Sequence, residues 1–83
     1  MNPIDLRDIF LKIIKPHIQY SNLDDVSIMK LKLDDTEIDS LMLMEIVMEL
    51  EEHSVQVHQS FMSSLEPGAT FEDIFDALIK TNL

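Results

Sequence analysis

One apolar spacing occurs three times in this chain, and it dictates helices. Leu6, Ile9, Phe10, Ile13 and Ile14 fall at i, i+3, i+4, i+7 and i+8, positions that share one face of an α-helix. Leu43, Ile46, Val47 and Leu50 follow the same rule, as do Phe71, Ile74, Phe75, Leu78 and Ile79. A one-sided apolar stripe has to be covered by another element, so three such helices are expected to pack together. A chain of 83 residues has room for one domain with one modest core.

Local chemistry sets the helix ends. Asn2 can cap the first helix, Pro3 suits its first position, Asp5 lies near the positive end of its dipole, and Pro16 ends it close to Lys15. The second helix is expected to begin near Asp39 or Ser40 and to run to about His53. Pro67-Gly68 is a break, and Thr70 three residues before Asp73 resembles a capping box with aspartate in the glutamate place.

Between His17 and Ile38 the periodicity fades. Met29-Lys30-Leu31-Lys32-Leu33 alternates as a strand would. A lone strand leaves its backbone groups unsatisfied, however, and no second strand is evident. The region is expected to be an extended loop that Leu23, Val26, Leu31 and Leu33 tack onto the core. Val55 to Leu65 is expected to be a loop with one short helix around Ser60 to Leu65. The predicted fold is therefore all-α. It is a small antiparallel bundle of three main helices plus one short helix, with a long loop between the first two, in a single domain over 1–83.

Composition bounds the function. Hydrophobic content of 46% is that of a folded chain, whereas 16 acidic against 6 basic residues give a net charge of −10. That charge repels nucleic acid and anionic membranes and favours partners with basic patches. With no cysteine, disulfides and thiolate metal sites are excluded. No apolar run approaches a membrane span, and the N-terminus lacks the pattern of a secretory signal. A cytoplasmic monomer with no membrane span is the expectation.

Three chemical readings fail on spacing. Asp35, Glu37 and Asp39 alternate as a calcium-binding EF-hand loop begins, yet its required glycine and bidentate glutamate are replaced by Ser40 and Ile46. His53 and His58 are five apart, off a common helical face, and with His17 read as surface or helix-end residues rather than metal ligands. Ser40 lacks the flanking glycines of a hydrolase elbow, since Ile38 and Met42 stand there. No catalytic residue and no metal site are expected.

Two features then stay open on spacing alone. Asp39-Ser40 reads either as a helix cap or as a point of attachment, because a cap explains one side-chain oxygen and the pair offers two. Leu41, Met44 and Met48 form a second apolar face, interleaved with Glu45, Glu51 and Glu52. That face is either core beneath the flanking loop or a docking surface rimmed by one sign of charge, its methionines suited to several partners.

Taken together, Asp39-Ser40-Leu41, Glu45, Met48, Leu50, Glu51 and Glu52 resemble the acyl carrier protein family: D-S-L, then an acidic, methionine-bearing helix ending L-E-E. Length, acidity, the first helix, the long stretch before D-S-L and a last helix opening at Thr70-Phe71 extend the resemblance along the chain. It implies that Ser40 carries a 4′-phosphopantetheine arm, installed from coenzyme A by a magnesium-using phosphopantetheinyl transferase. It also implies that the arm's thiol holds acyl groups as thioesters, passed between acyl-loading and acyl-processing enzymes with basic docking patches. Asp39, Leu41, Met44, Glu45, Met48, Glu51 and Glu52 are then the expected partner contacts. A peptidyl carrier and an unmodified acidic helical adaptor are the alternatives. The chain departs from the family's common pattern at Glu37, where glycine is frequent, and at Met42, where an acid is frequent. It departs again at His53-Ser54, in an area where fatty-acid carriers commonly have an aromatic. These departures point to a specialised pathway as readily as to fatty-acid synthesis.

Overall fold

The computed structural model describes residues 2–18 and 22–82. Five α-helices account for most of the chain: α1 Pro3–Ile14, α2 Asp25–Lys30, α3 Ser40–Glu52, α4 Gln59–Ser63 and α5 Phe71–Asn82. Single 3₁₀ turns follow α1 at Lys15–His17 and precede α3 at Leu33–Asp35.

The three long helices form where the stripes place them. Asn2 caps α1, its side chain accepting from the Asp5 amide at 2.8 Å, and Pro16 falls in the 3₁₀ turn just beyond. At α5 the Thr70 hydroxyl accepts from the Asp73 amide at 3.1 Å while Asp73 accepts from the Thr70 amide at 3.2 Å. The capping box is complete with aspartate in place of glutamate.

α1 joins the other two long helices. It touches both α3 and α5, and α5 in turn touches α2 and α4. Contact on two sides explains why Leu11, off the predicted stripe, is buried with Leu6, Phe10, Ile13 and Ile14. Phe10 sits between two rings of α5, edge-on to Phe71 at 6.4 Å and tilted against Phe75 at 5.5 Å. Such pairs add to what area burial alone contributes.

The segment before α3 is not the extended loop that its weak periodicity predicts. Asp24 caps a short helix, accepting from the Ser27 amide at 2.8 Å, and Ile28 and Met29 are its core anchors. Val26, expected to tack the loop down, is 55% exposed instead. In a helix it lies on the side away from Ile28, two residues on. Leu33 is buried as expected, and Leu23 and Leu31 pack at the edge of the core. Hydrogen bonds from Ser27, side chain first and backbone second, hold the Asp24 carboxyl below its ordinary pKa. The contribution of this cap is thus present above the ordinary aspartate pKa and is lost as pH falls through the depressed value.

The alternating Met29–Leu33 stretch does find a partner. Lys32 makes an isolated antiparallel bridge with Thr70. The Leu33 amide donates to the Ala69 carbonyl at 2.8 Å, and the Phe71 amide donates to the Leu31 carbonyl at 3.0 Å. The bridge is one residue long because Phe71 starts a helix, so no strand develops among the described residues.

α3 ends in a left-handed turn. Ser54 has φ 64°, its amide donates to Glu51 at 3.0 Å, and the Val55 amide donates to Leu50 at 3.0 Å. Val55 and Leu50, both fully buried, supply the apolar contact that accompanies this ending. A side chain at such a φ is disfavoured by about 1–2 kcal/mol, a strain glycine lacks. Ser54→Gly is therefore expected to stabilise the chain by up to about 1 kcal/mol, raising the thermal midpoint by roughly 4–8 °C in a calorimetric scan.

Candidate functional site

Asp39, and not Ser40, caps α3. Its carboxylate accepts from the Met42 amide at 2.9 Å, and its carbonyl accepts from the Leu43 amide at 2.9 Å. Ser40 is the first helical residue, exposed to solvent, and its hydroxyl makes no hydrogen bond among the described residues. The two oxygens that spacing leaves ambiguous therefore divide. One is engaged in the backbone and the other is free.

Two depressions meet at Ser40. Toward the C-terminal end of α3 lies an open groove of about 540 Å³, walled by Leu43, Met44, Val47 and Met48 of α3 and closed by Met62 of α4 and Leu65. On the other side lies a more polar trough of about 320 Å³, walled by Asp34, Thr36, Ile38, Asp39 and Pro67. Leu43 and Leu65 border both. Between the helices the interior is filled: the space bounded by Phe10, Phe61 and Phe71 amounts to about 10 Å³, no more than the room one water needs.

The second apolar face is uncovered. Leu41 is 68% exposed, Met44 63% and Met48 60%, because the preceding segment folds toward α5 instead of across α3. Met44, Met48 and Glu51 line the groove, whereas Leu41, Glu45 and Glu52 lie exposed on the same helix outside its wall. Nothing in the spacing points to Met62 and Leu65, which complete the groove. In the five-residue helix α4 either Phe61 or Met62 could face inward, and the structure buries Phe61 while leaving Met62 47% exposed.

Beyond the Asp39 cap, the charges within α3 run against its dipole. α1 carries Asp5 in its first turn and Lys12 in its last, and α5 carries Glu72 and Asp73 early and Lys80 late. These arrangements suit the positive N-terminal and negative C-terminal ends of a helix. α3 has no acid in its first turn and no base in its last; its charged groups, Glu45, Glu49, Glu51 and Glu52, are all acidic and trail toward the C-terminus. No lysine or arginine occurs between Leu33 and Ile79 to compensate. Each of the last-turn acids, Glu49, Glu51 and Glu52, costs the free chain about 0.3–1 kcal/mol at low ionic strength. Glu51→Gln together with Glu52→Gln is accordingly expected to stabilise the chain by roughly 0.6–2 kcal/mol in low salt, with the gain fading at high salt. Chemical denaturation at two ionic strengths reads it.

No protein-family model matches the chain, and no curated protein or solved structure matches it either. No helix among the described residues is long and apolar enough to cross a membrane.

Proposed function

We infer that the chain is an acyl carrier protein, with Ser40 as the point of covalent attachment. The observation that carries this reading is the free, exposed Ser40 hydroxyl at the mouth of α3, beside an Asp39 that already performs the capping. A thirteen-residue helix presents amide groups and the positive end of its dipole there, an environment that tolerates a phosphodiester. The site therefore fits a 4′-phosphopantetheine arm, which, when attached, carries acyl groups as thioesters on its terminal thiol. The chain itself supplies the attachment oxygen, caps the helix through Asp39 so that the Ser40 hydroxyl is not needed for it, and offers contact surface; it performs no catalysis.

The docking surface in this reading is the exposed face of Leu41, Met44 and Met48 with Glu45, Glu51 and Glu52. Its acids are unfavourable in the isolated helix and become favourable against a basic partner, which also speeds encounter. The partners are a phosphopantetheinyl transferase and acyl-loading and acyl-processing enzymes with basic patches. In this reading the three long helices form an antiparallel bundle and the protein is a cytoplasmic monomer. Incubation with coenzyme A, magnesium and a broad-specificity transferase is expected to add the mass of one arm. No gain with a transferase that modifies a control carrier overturns the reading.

The uncovered stripe also favours a second reading, an unmodified acidic adaptor that binds a basic partner through Leu41, Met44 and Met48. Full partner binding and full pathway activity in Ser40→Ala would select it. A peptidyl carrier is separated from an acyl carrier by loading with aminoacyl against acyl donors.

A further inference from the structure

We propose that Met44, Met48 and Met62 form an oxidation switch on the α3–α4 groove, with hydrogen peroxide as the class of oxidant. The chain contains neither cysteine nor tryptophan, so its thioethers are its most readily oxidised side chains. Three of its six methionines converge on one groove, and they are the exposed ones among the described residues: Met44, Met48 and Met62 are 63%, 60% and 47% exposed, whereas Met42 is half-buried and Met29, in the core, is 5% exposed. Leucine would line the same wall without this chemistry.

The step balances with peroxide alone. The thioether sulfur attacks one peroxide oxygen, the O–O bond breaks, an S–O bond forms, and the second oxygen leaves as water. Sulfur is oxidised by two electrons and peroxide is reduced by two. Each sulfoxide places a strong hydrogen-bond acceptor where the wall had offered only apolar contact. Any apolar group entering the groove then has to desolvate that acceptor. Oxidation therefore turns the groove from apolar to polar without disturbing the core, and a sulfoxide reductase reverses it. The inference rests on reading the groove as the carrier's apolar contact surface and concerns the regulation of that surface.

Graded peroxide treatment of the full chain, followed by peptide mapping, is expected to oxidise Met44, Met48 and Met62 at least about tenfold faster than Met29. Binding of Nile red, a neutral apolar dye, is expected to weaken at least about tenfold as the three sulfoxides accumulate, with the helical circular dichroism retained. A triple variant, M44L/M48L/M62L, should bind the dye equally before and after peroxide. M44Q/M48Q/M62Q should show the loss with no oxidant present. Equal oxidation of Met29, dye binding unchanged after full conversion, or no dye binding to the untreated chain each overturns the proposal. The assay uses chain with an unmodified Ser40, so failure of arm loading, read separately by intact mass, is not confused with failure of the switch.

Discussion

Ser40→Ala is expected to abolish loading by a phosphopantetheinyl transferase completely, while its unfolding midpoint stays within about 4 °C of the parent chain. The second half of that result matters as much as the first. The Ser40 hydroxyl makes no hydrogen bond among the described residues, and an exposed substitution of that kind changes stability by about 0.5 kcal/mol or less. Asp39→Ala is the contrast. It removes the acceptor of the Met42 amide, which should cost about 1 kcal/mol and lower the midpoint by roughly 4–8 °C. Intact mass after incubation with coenzyme A reads the first effect and thermal circular dichroism the second. If Ser40→Ala gained the arm's mass undiminished, another residue would be the acceptor. If it melted like Asp39→Ala, Ser40 would be part of the cap after all, and its freedom for attachment would be gone.

Phe10→Ala is expected to bring the chain close to unfolding at room temperature. Phe10 is 1% exposed and holds α1 against α5 through Phe71 and Phe75. Truncating a buried phenylalanine costs about 3–5 kcal/mol, from lost transfer energy and from the cavity left behind. A chain of 83 residues has a total stability on the order of 4–12 kcal/mol, so one side chain carries a large share of it. The filled interior around this ring leaves no neighbour with slack to move into the space. A fall of roughly 15–30 °C in the midpoint is expected. Ile4, 73% exposed on the same helix, is the control, and Ile4→Ala should shift the midpoint by less than about 4 °C. Equal effects from the two would mean that α1 is not packed through Phe10.

The long helices are legible in the sequence because their causes are local. Spacing places a stripe within one helix, and the caps at Asn2, Asp39 and Thr70 lie within three residues of the amides they satisfy. Helix α2 is not legible, since only Ile28 and Met29 anchor it and the alternation running on to Leu33 conceals their spacing. The bridge from Lys32 to Thr70 is hidden for a different reason. Its partner is distant in the chain and is a helix boundary, which carries no alternation to recognise.

For the candidate site, the sequence by itself determined that an acid and a hydroxyl stand together where an acidic, methionine-bearing helix begins. Two further facts needed the tertiary structure. Which oxygen caps depends on one geometry, the 2.9 Å approach of the Met42 amide to Asp39, and either residue type could have supplied it. Whether Leu41, Met44 and Met48 are core or surface depends on where the segment before α3 travels. That segment leaves them open by pairing with Thr70 and packing on α5. Met62 joins them only because Phe61 takes the inward place in α4. Periodicity fixes which residues share a face; what covers that face is decided by the competition of distant segments for the same core.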